Sequence, residues 1–167
     1  MEKPLVHEIE LYPFETFYSI LEYEIKRAKR YNDWTTLVRL AVEADADDEE
    51  QEPQFAAEIF AINVLNLQLR DVDIPCRVNN EFLILMPCTD EIGAKIVCER
   101  LETLFEREAE IYERVSFKLN TFIGATTMGS DSSATSKLLM DGASAAMEHA
   151  RDNNLSKPVL YSEISKE

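Results

Sequence analysis

Glycine is scarce in this sequence of 167 residues, and its distribution excludes one class of nucleotide site. The chain has four glycines, and none of them lies in the first 92 residues. The first half therefore lacks the glycine-rich loop with which P-loop and dinucleotide-binding proteins hold phosphates. Cysteine is equally sparse, because the three cysteines are odd in number and show no CxxC spacing. We expect neither a disulfide framework nor a metal site built on them.

Positive charge is also in short supply. The chain has 17 Lys and Arg against 32 Asp and Glu, which gives a formal net charge of −15. Nucleic acids and anionic membrane surfaces are bound mainly through cations, so neither is an expected partner. No apolar run approaches 18 residues and no signal-peptide pattern opens the chain, so we expect no membrane insertion. With unpaired cysteines, the expected location is the reducing cytoplasm.

The apolar pattern predicts a single α+β domain over residues 1–167. The first half is expected to contain a lead-in segment over 1–13, a helix over 14–31, a strand over 35–42, an acidic loop over 43–53 and a helix over 54–70. The second half is expected to contain a two-strand hairpin around Asn79-Asn80, a helix over 89–108, a strand over 117–127, a helix over 132–154 and a closing strand over 157–163. Without the first helix this order is βαββαβ followed by one more helix and strand. It predicts a ferredoxin-like α+β sandwich with an added N-terminal helix and an added C-terminal helix and strand.

Two helices show apolar stripes that we expect to face the core. In the helix over 54–70 the stripe consists of Phe55, Ile59, Ile62, Leu65 and Leu69; in the helix over 89–108 it consists of Ile92, Ile96, Leu101, Leu104 and Phe105. The segment 43–52 between strand and helix has seven acids and no base. It lacks the glycine turn and the alternating ligands of a calcium loop, so we interpret it as a solvated loop.

The segment RDVDIPCRVNNEFLILMP (70–87) resembles the signature region of GGDEF domains, the catalytic modules of diguanylate cyclases. EIKRAKRYND, TTLVRLAVE, TFIGAT and GASAAMEHARDNN resemble further stretches of that family. The resemblance implies a domain that joins two GTP molecules into cyclic di-GMP with Mg²⁺ held by carboxylates. Family members usually follow a sensor or receiver domain, so an upstream sensor domain or a protein partner is also implied.

The sequence departs from this family at the catalytic signature, which spans Val78, Asn79, Asn80, Glu81 and Phe82. The hairpin is one residue short, and it carries side chains where two glycines of the family admit the GTP phosphates. Asn80 matches a carboxylate and lacks the charge that a hard divalent cation requires. We therefore expect no catalysis, no metal and no cofactor.

Two further positions of the implied catalytic site also differ. In the first strand the family's Asp-x-Asp is Ala41-Val42-Glu43, and Arg151 occupies the place of a phosphate-binding lysine. The simpler interpretation of Glu81 is a cross-strand or solvent-facing acid beside the hairpin.

One site of the family is retained. An Arg-x-x-Asp before the signature, completed by an arginine in the following helix, forms an inhibitory site for cyclic di-GMP; here the matching residues are Arg70, Asp73 and Arg100. Arginine binds phosphate and guanine edges bidentately, and aspartate accepts from guanine donors, which suits such a dinucleotide. The alternative is ordinary surface ion pairs, Arg70 with Asp73 or Arg100 with Glu99 or Glu102.

We therefore predict an inactive GGDEF-type signalling domain that acts as a cyclic di-GMP receptor. The alternative is a protein-interaction or dimerisation module that binds no nucleotide, with the acidic segment and the first helix as its contact surfaces and a homodimer as one form. A working cyclase with unusual ligands is the third hypothesis.

Overall fold

The computed structural model describes residues 11–45, 51–113, 118–130 and 133–165. The elements are α1 (Phe14–Tyr31), β1 (Thr35–Asp45), α2 (Gln51–Gln68), β2 (Ile74–Val78), β3 (Glu81–Pro87), α3 (Glu91–Glu113), β4 (Lys118–Met128), α4 (Ser136–Asp152), β5 (Val159–Leu160) and α5 (Tyr161–Ile164). Most of the predicted lead-in and residues 46–50 of the acidic segment lie outside the described ranges.

The five strands form one sheet in the order β2-β3-β1-β4-β5. The first four are antiparallel to their neighbours, in the strand order of a ferredoxin-like sandwich, and β5 adds parallel to β4. The predicted fold class is confirmed. Side chains alternate across the central strand β1: Val38 and Leu40 pack with α2 and α3, and Leu37 packs with α1 and α4.

Two glycines allow α4 to lie against β4 at backbone distance. A Cβ on Gly124 would lie 2.1 Å from the backbone nitrogen of Met147, and one on Gly142 would lie 2.8 Å from Thr126 Oγ1. Any side chain at Gly124 would therefore push the helix away from the sheet. This contact fixes the position of the C-terminal half of α4 relative to the strands.

The loop between β1 and α2 is shorter than the sequence predicted. β1 continues to Asp45, which is the register partner of Lys118 on β4. At the other end, α2 already begins at Gln51, so Pro53 lies in its first turn. Proline is tolerated there because the first backbone N–H groups of a helix have no intrahelical acceptor. The loop prediction for residues 43–53 was thus wrong at both ends.

The apolar stripe predicted for α2 was wrong at its first two positions, whereas Leu65 is buried and Ile62 and Leu69 pack against the core. Phe55 and Ile59 are exposed, whereas the buried face is formed by Ala57, Phe60, Ala61, Val64 and Leu65. This helix carries apolar residues on nearly every side, so its periodicity did not identify the buried face. In α3, Ile92 and Ile96 are likewise exposed, whereas Leu101 and Phe105 are buried.

The ends of several elements also differ from the predictions. Helix α3 extends to Glu113, and α4 begins at Ser136, where the side chain of Thr135 accepts a hydrogen bond from the backbone N–H of Leu138 at 3.1 Å. The closing strand has only two residues and leads into the short helix α5. Among the described residues, no helix combines the length and apolar character required to span a bilayer.

Candidate functional site

The predicted hairpin between β2 and β3 is confirmed. Val78 and Glu81 are register partners, so Asn79 and Asn80 form a two-residue connection. Asn79 has a φ of 55°, a left-handed conformation that asparagine tolerates better than most residues. Phe82, the second residue of β3, is fully buried. Its neighbour Glu81 points to the opposite face of the sheet, toward α4.

Two arginines bind the carboxylate of Glu81. Arg39 Nε on β1 donates to Oε1 at 2.5 Å, and Arg151 Nη2 on α4 donates to Oε2 at 3.0 Å. The Glu81 side chain is only 17% exposed. Burial disfavours its charged form, but the hydrogen bonds from Arg151 and Arg39 outweigh burial and hold the pKa of Glu81 below its usual range.

Arg151 connects this pair to a second acid. Its Nη2 also lies 2.8 Å from an Oε1 oxygen of Glu43, near the end of β1. Burial acts against the charged form of Arg151, whereas Glu81 and Glu43 raise its pKa above the usual value. Arg39, Arg151, Glu43 and Glu81, the hairpin cluster, thus form a network whose formal charges cancel.

A cavity of about 390 Å³ opens beside the hairpin cluster. It is lined by Glu43, Ala44, Gln54, Asn79, Asn80, Glu81 and Arg151. Gln54 on α2 fixes one wall, because its side chain donates to the carbonyl of Val42 and accepts from the N–H of Ala44. The lining is therefore polar and contains three side-chain amides.

Both carboxylate oxygens of Glu81 are engaged in this cavity, because each accepts a hydrogen bond from a guanidinium group. The register partner of Glu81 on β1 is Ala41, which offers only a methyl group. In the described part of the chain, no group of three or more His, Cys, Asp or Glu side chains is arranged to hold a metal.

At the opposite end of β3, Arg70 and Asp73 form a close pair. Arg70 Nη2 and Nε lie 2.7 and 3.1 Å from Asp73 Oδ1, and the backbone N–H of Arg70 donates to Oδ2 at 2.9 Å. Arg70 Nη2 also donates to Thr89 Oγ1 at 3.1 Å. The hydrogen bond to Asp73 raises the pKa of Arg70. The carboxylate is 3% exposed and the arginine 49%, so a buried acid holds a half-exposed guanidinium.

The third residue of the predicted binding site, Arg100, is exposed on α3. Within the described ranges Arg100 has no hydrogen bond or ion pair, including with Glu99 or Glu102. The structure thus brings Arg70 and Asp73 together, and it shows no ion pair of Arg100 with Glu99 or Glu102 among the described residues.

Comparison with known proteins supplies the fold family. No protein-family profile and no curated protein matches the sequence. Among solved structures, the GGEEF domain of a diguanylate cyclase from Vibrio cholerae matches with 14% identity and a TM-score of 0.73, over 88% of this chain and 95% of that one. The GGDEF domain of DgcB from Caulobacter crescentus, in complex with c-di-GMP, matches with 12% identity and a TM-score of 0.73, over 97% and 99% of the two chains. The chain has the GGDEF-domain fold.

A third solved structure with this GGDEF fold contains a protein partner. Diguanylate cyclase SiaD from Pseudomonas aeruginosa, in complex with its activator SiaC, matches with 23% identity and a TM-score of 0.73. The alignment covers 95% of this chain and 61% of SiaD.

Sequence reasoning missed two residues of these sites. Arg39 is the single charged residue in the apolar stretch TTLVRLAV, and a lone cation inside a buried strand was the available signal that it has a partner. Thr89 was predicted only as the first residue of a helix, and the structure shows that its hydroxyl accepts a hydrogen bond from Arg70.

Proposed function

We propose that this chain is a GGDEF-type signalling domain that binds cyclic di-GMP at Arg70 and Asp73 and does not synthesise it. The observation that carries the proposal is the Arg70–Asp73 pair, in which a buried carboxylate orients a half-exposed guanidinium. The SiaD and DgcB structures support the signalling class through their fold alone, and the DgcB domain is one that was solved with c-di-GMP.

The geometry leaves part of the guanidinium available to a ligand. Asp73 engages Nε and Nη2 of Arg70, whereas Nη1 has no hydrogen bond within the described residues. The free Nη1 of an arginine oriented in this way can donate to a phosphate oxygen or to the O6 or N7 atom of guanine. Arg100 would then contact the other half of the dinucleotide from α3. The net charge of −15 opposes an anionic ligand, but screening over ~8 Å at physiological salt makes the nearby arginines decisive.

The proposal of no synthesis is supported by the hairpin cluster. Arg39 and Arg151 place two positive charges on Glu81, and its strand neighbour Ala41 offers no second carboxylate. Mg²⁺-assisted transfer of a nucleotidyl group requires carboxylates that hold the metal against the substrate phosphates.

Calorimetric titration with cyclic di-GMP tests the binding proposal. We expect wild type to bind and Arg70→Ala to bind at least about tenfold more weakly, because the variant loses one charge-assisted contact with the ligand. Arg107→Ala is the matched control, because Arg107 is an exposed arginine on the same helix as Arg100, and it should bind like wild type. No binding by wild type at 100-fold molar excess of ligand, or equal binding by Arg70→Ala, would contradict the proposal.

Synthesis is tested separately by incubation with GTP and Mg²⁺ or Mn²⁺. We expect no cyclic product by chromatography. Product formation that stops in Glu81→Gln would overturn the proposal of an inactive domain while leaving the binding proposal open to its own test.

A second candidate function is a protein-interaction or dimerisation module. The observation in its favour is a group of exposed aromatic residues near the C-terminal half of α1, with Tyr23, Tyr31 and Trp34 exposed by 69, 65 and 48%. Arg30 stacks on Tyr31 with its guanidinium carbon 5.6 Å from the ring centre. Sedimentation velocity over a concentration series would detect a homodimer through this surface, and Tyr23→Ala should then restore the monomer.

A further inference from the structure

The turn Pro87–Thr89 leads from β3 to α3, and its middle residue has a strained backbone. Cys88 has a φ of 52°, in the left-handed region that most side chains disfavour. The other non-glycine residues of the described ranges with a positive φ are all asparagines, which tolerate this region better. A strained conformation persists only where neighbouring contacts hold it. The contacts on either side of Cys88 therefore decide whether the turn keeps its shape.

One set of contacts binds the side chain of Cys88 to the C-terminal end of α1. Its Sγ donates to Asp33 Oδ2 at 2.9 Å, and Arg27 Nη2 lies 3.3 Å from the same sulfur. Arg27 Nη2 also donates to Asp33 Oδ2 at 3.0 Å and to Glu24 Oε1 at 2.6 Å. The backbone N–H of Asp33 in turn donates to the carbonyl of Ala28, in the last turn of α1. Cys88 is thus part of the polar network at the end of this helix.

A second set of contacts, on the other side of Cys88, comes from Arg70. Arg70 Nη2 donates to Thr89 Oγ1 at 3.1 Å and to the carbonyl oxygen of Pro87 at 3.5 Å. The Thr89 hydroxyl donates to the same carbonyl at 2.9 Å, which ties the two neighbours of Cys88 together. The Thr89 carbonyl accepts from Thr36 Oγ1 on β1 at 2.8 Å. Arg70 therefore contacts both residues that flank the strained one.

These contacts form a continuous series from Asp73 through Arg70 and the turn to Asp33. Two places in a protein are coupled when an element between them has two discrete arrangements that both places bias. Cys88 supplies such an element. Held from both sides it keeps its left-handed backbone, and released from one side it gains free energy by returning to an ordinary φ. Loss of the contacts at one end therefore weakens the contacts at the other.

We propose that the turn Pro87–Thr89 is a two-state element that couples ligand binding at Arg70 to the contacts of Arg27 and Asp33 at the end of α1. In the held state Thr89 helps Asp73 to position the Arg70 guanidinium. A ligand that binds the positioned guanidinium favours the held state, and by linkage the α1 contacts raise the affinity for that ligand. The ligand part of this inference rests on the function proposed above, whereas the coupling of Arg70 to Cys88 does not.

The thiol of Cys88 reports the state of the turn. Cys88 is exposed, whereas Cys76 and Cys98 are buried. The hydrogen bond to Asp33 and partial burial raise the pKa of the Cys88 thiol above its usual value, although Arg27 acts in the opposite direction. Release of the thiol from Asp33 therefore increases the thiolate fraction and speeds the reaction with a disulfide reagent.

Thiol titration of ligand-free variants with a neutral aromatic disulfide tests the coupling. We expect Cys88 to react about three- to tenfold faster in Arg70→Ala and in Thr89→Val than in wild type. Loss of the positive charge of Arg70 would by itself slow the reaction, so a faster reaction reports release of the turn. Unchanged rates in both variants would overturn the proposal.

Two control variants and the buried cysteines distinguish release of the turn from general loosening of the fold. Thr89→Ser keeps the hydroxyl and should react like wild type. Arg107→Ala removes an exposed arginine in the C-terminal half of α3 and should also react like wild type. Faster reaction of Cys76 and Cys98 together with Cys88 would show general loosening and would overturn the proposal.

Calorimetry with cyclic di-GMP tests the coupling from the α1 end. Asp33→Ala removes the acceptor of the Cys88 thiol and should weaken binding about three- to tenfold. Removal of a negative charge would by itself favour an anionic ligand, so weaker binding reports the coupling. Glu148→Gln, which removes an exposed acid on α4, should bind like wild type. Equal affinities of Asp33→Ala and wild type would overturn the ligand part of the proposal.

The reaction of Cys88 in the presence of ligand completes the test. Saturating cyclic di-GMP should slow the reaction of wild type at least about threefold, because the ligand favours the held state. An unchanged rate with ligand bound would overturn the ligand part. Absence of binding by wild type would overturn the proposed function and the ligand part with it, and the ligand-free rates of Arg70→Ala and Thr89→Val would still decide whether Arg70 and Cys88 are coupled.

Discussion

Replacement of Glu81 by glutamine should destabilise the protein strongly, because the change removes a charge and keeps the side chain's shape. Glu81 accepts one hydrogen bond from Arg39 and one from Arg151. In the variant both guanidiniums remain charged and partly buried, with exposures of 19 and 33%. Removal of one partner from a fully buried ion pair costs about 3–5 kcal/mol.

The cost here should be smaller, because each arginine keeps another partner. Arg39 still donates to Ser144 Oγ at 2.9 Å, and Arg151 still lies 2.8 Å from Glu43. We therefore expect Glu81→Gln to lower the free energy of unfolding by about 2–3 kcal/mol at pH 7. Urea unfolding followed by circular dichroism measures this difference, with the exposed Glu148→Gln as the control at about zero.

The difference should also depend on pH in a defined direction. Hydrogen bonds hold the pKa of Glu81 in the folded state below that of the unfolded chain, roughly 4.3. Its ionisation therefore stabilises the fold above that pH, and this contribution disappears as pH falls through the folded-state pKa. Wild type and variant should converge in stability as the pH falls below the folded-state pKa of Glu81. A loss below about 0.5 kcal/mol at pH 7, or a difference that is independent of pH, would refute the assignment of the hairpin cluster as a buried ion network.

Three further predictions concern other parts of the molecule. Gly124→Ala should prevent stable folding, because its Cβ would meet the backbone of α4, whereas Gly93→Ala, near flexible side chains, should change the melting temperature by only a few degrees. Asp73→Asn should weaken cyclic di-GMP binding about tenfold in calorimetry, because the Arg70 fork loses its orienting charge. In thiol titration with an aromatic disulfide reagent, exposed Cys88 should react first. Burial raises the pKa of Cys98 to about 12, so that thiol should react only after unfolding.

The strands and the hairpin were predictable because their signals are local. Residues 35–42 are β-branched and apolar enough to indicate a strand, and Asn79-Asn80 between two such runs fits a two-residue turn. The buried face of α2 was not predictable, because apolar residues occupy both its core side and its exposed side at Phe55 and Ile59. Tertiary packing alone decides between two such faces.

The two candidate sites also differ in how far apart in the sequence their contacting residues lie. Arg70 and Asp73 are three residues apart, so their ion pair was one of the alternatives visible in the sequence. The partners of Glu81 come from β1 and α4, far away in the chain, and only the sheet register and the close packing at Gly124 bring them together. No local pattern encodes that contact.

The hairpin cluster also determines what a change at Ala41 would do. Ala41 is the register partner of Glu81, so a carboxylate placed there would stand beside the carboxylate of Glu81. In this structure Arg39 and Arg151 already neutralise Glu81, so a new carboxylate at position 41 would be a further acceptor for those guanidiniums. The hairpin cluster is therefore an internal ion network in which two guanidinium groups and two carboxylates satisfy one another's charge.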